Sequence, residues 1–143
     1  MSRFTWEGTE VGQEFNYEFD LTPELVREFT WGVDDENPWY SLGEGPCGRP
    51  IAPPYMLSHL LAWVTRDSLG PPVGHIHAWS ETESLTPVYV GSRIRLEARI
   101  ADKFIRRGRG YFRLEARGLD ENGRELFRET RESAFSYEKI AEE

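Results

Sequence analysis

The sequence has almost no cysteine, no long apolar run and no excess of positive charge. Cys47 is the single cysteine, so no disulfide can form within the chain. No run of about 18 apolar residues offers a transmembrane helix, and the polar start of the sequence lacks the apolar segment of a signal peptide. A net charge of −8 at pH 7 disfavours nucleic-acid binding through phosphate neutralisation. These features predict a cytoplasmic protein that binds neither membranes nor nucleic acid.

One segment is apolar almost all the way round a helical wheel. It covers residues 54–67 and includes Met56, Leu57, Leu60, Leu61 and Val64. This pattern predicts a helix that is buried on every side, roughly 21 Å long at the usual helical rise. Pro53 and Pro54 suit a first helical turn, and Gly70 follows the end of the helix. A fully buried helix requires other elements to surround it.

Five segments alternate apolar and polar residues, as strands with one buried face do. They are residues 13–19, 73–85, 93–103, 110–119 and 124–137. The last three are joined by turns too short for parallel crossovers, which indicates an antiparallel meander. A short amphipathic helix begins after Thr22 and ends at Gly32, before a loop over residues 33–50. The sequence therefore predicts one α+β domain, residues 1–143, in which a curved antiparallel sheet wraps a long central helix.

Three further segments carry a recognisable pattern: Asp35-Glu36-Asn37-Pro38-Trp39-Tyr40, Gly48-Arg49-Pro50-Ile51-Ala52-Pro53-Pro54 and Thr86-Pro87-Val88-Tyr89-Val90-Gly91-Ser92. In this order they resemble motifs of the MaoC-like family of hot-dog proteins. The family includes (R)-specific enoyl-CoA hydratases and 3-hydroxyacyl-CoA or acyl-carrier-protein dehydratases. The resemblance implies a hot-dog fold, an acyl-CoA or acyl-ACP thioester substrate, no cofactor, and a homodimer or a hot-dog heterodimer.

The first motif implies a catalytic aspartate without its usual partner. In the family's hydratases this motif ends in a histidine, which forms an acid/base pair with the aspartate. Asp35 and Asn37 match the motif, whereas Tyr40 stands at the histidine position. Hydration of an enoyl thioester requires one group that activates water and another that manages the proton at C2. A phenol, with a reference pKa near 10, is a poor base at neutral pH. We therefore expect this chain alone to be a weak hydratase or an inactive one.

The second motif also departs from the hydratases, which usually have histidine and glycine where this chain has Pro53 and Pro54. The resemblance implies that the glycine N–H binds the thioester oxygen, and Pro54 has no N–H. Tyr55 keeps both an N–H and a phenol and could hold the oxyanion one residue later. His59 stands where the hydratases have a serine facing the site, so it could replace the missing base. A Pro-Pro start is typical of the N-terminal-type branch, whose subunits work beside a second, catalytic hot-dog domain.

The candidate residues also have purely structural interpretations. Asp35 could be an Asx-turn residue, and His59 could be a buried core histidine. His77 is expected to line the acyl region, as in proteins of the N-terminal-type branch. His75, His77 and Glu81 loosely resemble a cupin metal motif, but no histidine follows His77, so we expect no metal.

Three functions remain open from the sequence. The first is a hydratase or dehydratase of acyl thioesters that acts through Asp35. The second is a non-catalytic subunit that binds the acyl chain or completes a heteromeric dehydratase, and the third is a cupin-like metal protein. Arg106, Arg107 and Arg109 could contact a CoA phosphate or could form a solvated hairpin tip.

Overall fold

The structure, a computed structural model, describes residues 4–70 and 75–139, with side chains described as far as residue 135. The described elements are β1 (Glu14–Asp20), α1 (Pro23–Gly32), α2 (Met56–Leu69), β2 (His75–Ser84), β3 (Arg93–Arg106), β4 (Arg109–Leu119) and β5 (Glu125–Lys139). All five strands join one antiparallel sheet in the order β1-β3-β4-β5-β2. The predicted antiparallel sheet and the β3-β4-β5 meander are confirmed. No helix in the described part of the chain is long and apolar enough to cross a membrane.

The strand bounds differ from the predicted ones by a few residues. β3 runs to Arg106 and β4 starts at Arg109, so Arg107 and Gly108 form the turn and the strands are longer than the predicted 93–103 and 110–119 at this end. Both turn residues have positive φ, +51° and +73°, as a two-residue hairpin turn matching the sheet twist requires. Residues 73 and 74 of the predicted strand 73–85 lie outside the described residues.

The helix α2 is buried on one side only, so the prediction of burial all round is wrong. It begins at Met56 rather than Pro54, because the Met56 N–H donates to the Pro53 carbonyl at 3.0 Å in a turn that precedes the helix. The buried side consists of Met56, Leu57, Leu61, Val64 and Leu69. The opposite side exposes Tyr55, His59 and Trp63, the last with 59% of its surface accessible. The sheet therefore covers α2 without surrounding it.

Two apolar clusters hold α2 against the sheet. The first lies at the start of α2 and contains Leu21, Val26, Met56, Leu57, Val88, Ile94, Leu96 and Phe127. The second lies at its end and contains Phe4, Leu61, Leu69, Ile100, Phe112, Leu114 and Phe135. Alternate residues of β3 contribute to both clusters and those of β4 to the second, while the arginines between them face outward.

The two edge strands are less buried than the sequence pattern predicted. In β1, Phe15 and Phe19 are half-buried, but Tyr17 is exposed and stacks on Phe19, so the predicted shared buried face is wrong for Tyr17. In β2 every residue from Ile76 to Ser84 is exposed, and β5 is its only strand partner within the described ranges. β2 therefore leaves both faces and one backbone edge uncovered.

His75, at the start of β2, packs among aromatic rings of the second cluster. Its ring centroid lies 4.7 Å from that of Phe4, 4.8 Å from Phe135 and 5.4 Å from Phe112. Burial lowers the pKa of His75 to about 4. The neutral imidazole is therefore the form that the folded chain accommodates.

We expect His75 to make stability fall as the pH is lowered from about 6.5 to about 4. Over that range the unfolded chain binds a proton at His75 and the folded chain does not, so the free energy of unfolding declines. Above pH 6.5 neither state is protonated at His75, and the full stability is retained. Because the ring is partly accessible, we expect a loss of about 1 to 3 kcal/mol. Urea unfolding of the wild type and of His75→Leu should differ in pH dependence over this interval. Parallel curves would contradict the assignment.

Candidate active site

The end of α1 fixes the position of Asp35. Beyond the helix, the N–H groups of Asp34 and Asp35 donate to the carbonyls of Trp31 and Thr30, at 3.2 and 2.8 Å. Asp34 has φ +56°, a left-handed conformation that aspartate tolerates better than most residues. The Oδ1 atom of Asp35 accepts the N–H of Asn37 at 3.2 Å, so the Asx-turn interaction is present. These bonds leave the second carboxylate oxygen of Asp35 free for another partner.

That partner is Tyr55, the residue immediately before α2. The Tyr55 hydroxyl donates to Oδ2 of Asp35 at 2.6 Å, across 20 residues of sequence. This hydrogen bond, with smaller contributions from burial and from the carboxylate charge, raises the pKa of Tyr55 to about 12. Tyr55 therefore remains protonated at neutral pH and acts as a hydrogen-bond donor.

Tyr40 lies on the other side of Asp35. Burial, and then the negative charge of Asp35, raises the pKa of the Tyr40 phenol, so Tyr40 also remains protonated. A cleft of about 450 Å³ opens beside these groups and is lined by Val26, Thr30, Asp35, Asn37, Tyr40 and Pro50. Asp34, Glu36 and Arg27 also line the cleft, whereas Tyr55 contacts Asp35 from outside this lining.

The other predicted site residues are placed less centrally. His59 is exposed between the rings of Phe29, at 5.1 Å, and Trp63, at 5.6 Å, so the interpretation as a core histidine is wrong. Phe29 also contacts the Tyr55 ring at 5.6 Å and thus joins His59 to the edge of the site. No hydrogen bond among the described residues links His59 to Asp35.

Pro54 and His77 stand apart from the carboxylate. Pro54 is exposed in the turn before α2, and it leaves Tyr55 as the N-cap residue, without a side-chain cap on the helix. His77 lies on the exposed strand β2, where burial and then the charge of Arg131 lower its pKa. The structure therefore brings together Asp35, Asn37, Tyr40 and Tyr55, with His59 at the margin and His77 elsewhere.

A buried polar network beneath β2 was not predicted. The Glu129 side chain is fully buried, and its Oε1 atom accepts the hydroxyls of Ser58 and, at 2.7 Å, of Thr82. Arg131 Nη2 lies 2.7 Å from Glu129 Oε2 and donates to the Ser58 carbonyl at 2.9 Å. The network ties the first turn of α2, next to His59, to β2 and β5. The sequence did contain a signal for this network. Glu129 and Arg131 lie on the same strand face as Phe127 and Phe135, where apolar residues would be expected.

Comparison with known proteins identifies the fold. No protein-family model matches the sequence, and no curated protein sequence matches it. R-hydratase PhaJ1 from Pseudomonas aeruginosa, unliganded, is similar over 98% of this chain and 87% of its own, with 19% identity and a TM-score of 0.76. The MaoC-like dehydratase from Rhodospirillum rubrum is 17% identical over 90% of this chain and 94% of its own, with a TM-score of 0.72. The chain has the hot-dog fold of the MaoC-like proteins.

A heteromeric assembly has the same MaoC-like fold. The C-terminally truncated HadBC complex, a (3R)-hydroxyacyl-ACP dehydratase from Mycobacterium tuberculosis, matches over 87% of this chain and 96% of the matched chain, at 17% identity and a TM-score of 0.71. At these identities the likeness concerns the fold, and the chemistry must be argued from the residues of this chain.

The MaoC-like fold also separates the residues of the alternative cupin motif. The strand β2 carries a bulge between His77 and Trp79, after which Ser80 and Thr82 stand opposite Arg131 and Glu129. The bulge therefore moves Glu81 to the face opposite that of His77. In the described part of the chain, no three His, Cys, Asp or Glu side chains converge where a metal could bind.

Proposed function

We propose that residues 1–143 form a single hot-dog domain that acts in the cytoplasm as an acyl-thioester hydratase or dehydratase. Its substrates are 2-enoyl and (R)-3-hydroxyacyl thioesters of CoA or acyl carrier protein. The observation that carries this proposal is the carboxylate of Asp35, held between the Asn37 N–H and the Tyr55 phenol beside a cleft. The fold shared with R-hydratases and a dehydratase supports it.

In the hydration direction, Asp35 accepts a proton from water as the water oxygen bonds to C3 of the enoyl thioester. The electron pair of the double bond moves toward C2 and the thioester oxygen, and the protonated Asp35 then returns its proton to C2, which restores the carboxylate. Once Asp35 is protonated it no longer carries the charge that holds the Tyr55 phenol, so Tyr55 can donate to the developing oxyanion. The uncapped start of α2 adds a favourable dipole at the same place.

The test is hydration of crotonyl-CoA, followed as loss of the absorbance of the conjugated double bond. We expect slow turnover above the buffer rate, because Tyr40 is a phenol in place of a base and Pro54 has no N–H. Absence of both turnover and thioester binding would refute the proposal.

A non-catalytic partner subunit is the second candidate, and the same two residues, Tyr40 and Pro54, favour it. In that case the chain would bind an enoyl thioester without converting it. Turnover would then appear only when a hot-dog chain with an intact aspartate and histidine is added.

We further propose that two protomers, or this chain and a second hot-dog chain, join through the exposed β2 edge. Such pairing would satisfy the free backbone groups of β2 and would cover the exposed side of α2, making it the central helix of the assembly.

Sedimentation is expected to show a species of about twice 16.6 kDa at micromolar concentration. Ile76→Lys, which places a charge on the β2 edge, should shift the protein toward the monomer. The control Val11→Lys changes a slightly more exposed residue outside the strands and should not shift the protein toward the monomer. A wild type that sediments only as a 16.6 kDa species would contradict a homodimer.

A further inference from the structure

The turn between β3 and β4 concentrates positive charge in an acidic protein. The net charge is −8, yet Arg106, Arg107 and Arg109 occupy three of four consecutive positions. Among the described residues, the ion pairs formed by the other arginines of the sheet include none of these three. The tip of this hairpin thus carries positive charge that no carboxylate with a described side chain neutralises.

Two aromatic rings lie next to Arg106 on the outer face of the sheet. The rings of Phe104 and Tyr111 stack with centroids 5.3 Å apart and planes 6° from parallel. The guanidinium carbon of Arg106 lies 5.1 Å from the Phe104 centroid and 5.3 Å from the Tyr111 centroid. Both distances lie within the range of a cation–π interaction, so the two rings hold the arginine at this place on the sheet.

An open cleft of about 480 Å³ lies next to Arg106 and is also lined by Trp79, Arg113 and Glu132. Arg113 is already neutralised, since it donates to Glu132 at 2.7 and 3.1 Å. Glu115, which also lines the cleft, pairs with Arg99. No carboxylate among the described side chains pairs with Arg106, and Trp79 offers a further exposed ring.

We infer that this surface, the arginine hairpin (Phe104, Arg106, Arg107, Arg109 and Tyr111), binds the 3′-phosphorylated adenosine diphosphate of a CoA thioester. Flat aromatic and guanidinium groups suit stacking with a purine, and unpaired arginines suit phosphates. An acidic carrier protein would use the charge but not the aromatic surface, so the chemistry favours CoA. The inference rests on the proposed function and specifies the carrier.

The hairpin and the carboxylate lie at opposite ends of one protomer. Tyr111 stands opposite Ala134, which pairs with Ile76 near the start of β2, so the hairpin is at that end of the sheet. Ser84, at the other end of β2, pairs with Phe127 in the cluster beneath Tyr40. Antiparallel pairing of two β2 edges would bring the hairpin of one protomer to the Asp35 end of the other. The complete thioester site is therefore shared between protomers.

Calorimetric titration of the full chain with adenosine 3′,5′-bisphosphate tests this inference without requiring turnover. We expect Arg106→Gln and Arg109→Gln each to raise the Kd roughly tenfold, because each removes charge-assisted hydrogen bonds to phosphate. The control Arg124→Gln removes the same charge from the exposed β4–β5 turn and should leave the Kd within about twofold. Adenosine has the purine but no phosphate, and pyrophosphate has phosphates but no purine. Each should bind more weakly than the bisphosphate.

Three results would overturn the inference: an unchanged Kd in Arg106→Gln, an equal loss in Arg124→Gln, or binding of acyl carrier protein without binding of the bisphosphate. Its failure is distinguishable from failure of the proposed function. Hydration of the N-acetylcysteamine thioester of crotonate without bisphosphate binding would refute the hairpin site alone. Bisphosphate binding without hydration would support the hairpin site and count against catalysis by this chain.

Discussion

Asp35→Asn is expected to lower the rate of crotonyl-CoA hydration by about 10² to 10⁴, the usual contribution of a general base. Asparagine preserves the shape of the side chain and can still accept a hydrogen bond from Tyr55, but it cannot accept a proton from water. The fall should appear in kcat, because the substituted group acts on the reacting water rather than on the carrier. Initial rates over a range of substrate concentrations would measure it.

Asp34→Asn is the matched control. It removes the same charge from the neighbouring residue, whose side chain is exposed. Asparagine also tolerates the left-handed backbone at this position. Equal losses in the two variants would show that charge alone, not the Asp35 carboxylate, matters. A collapse of the rate in His59→Ala would identify His59 as the base and would contradict the assignment to Asp35 and Tyr55.

Glu129→Ala is expected to lower the free energy of unfolding by about 3 to 5 kcal/mol. The substitution removes the charge that pairs with Arg131 in the buried network and leaves the hydroxyls of Ser58 and Thr82 without their acceptor. This is a large part of the 5 to 15 kcal/mol that stabilises a typical domain. Urea unfolding at pH 7.5 would measure the loss.

Glu115→Ala serves as the comparison, because Glu115 forms an ion pair with Arg99 at 2.7 Å on the exposed face of the same sheet. Its loss should cost no more than about 1 kcal/mol. The double variant Glu129→Leu with Arg131→Met should recover part of the stability, since apolar replacement of a buried pair removes both desolvation costs. Equal destabilisation by Glu129→Ala and Glu115→Ala would contradict the importance of burial.

The sheet could be predicted from the sequence because its signal is local. Residues such as Ile94, Leu96 and Ile100 alternate with charged residues over the first half of β3, and this alternation fixes the buried face without knowledge of the fold. The environment of α2 could not be predicted in the same way. Its helical wheel identifies apolar residues such as Trp63, but the protein surface that covers them is not encoded within the helix.

The candidate site could be predicted only in part. The resemblance of residues 35–40 to a family motif indicated Asp35, and the substitution at Tyr40 indicated a missing base. The bond from Tyr55 to Asp35 depends on where α1 ends and α2 begins, and no spacing rule gives that distance over 20 residues. The network around Glu129 joins two strands and a helix that are far apart in the sequence, so its prediction requires the tertiary structure.

The strand order of the sheet has a consequence for biosynthesis. The strand β2 precedes β5 by about 40 residues in the sequence, and β5 is its partner in the sheet. A ribosome therefore releases β2, with Ile76 and Trp79 exposed, well before the strand that it pairs with has been made. The meander β3-β4-β5 consists of sequential hairpins and can form first, whereas β2 must wait for a contact distant in sequence. The strand β1 waits longer still, since its partner β3 begins about 70 residues after β1 ends. We expect β1 and β2 to be the segments that engage chaperones during synthesis.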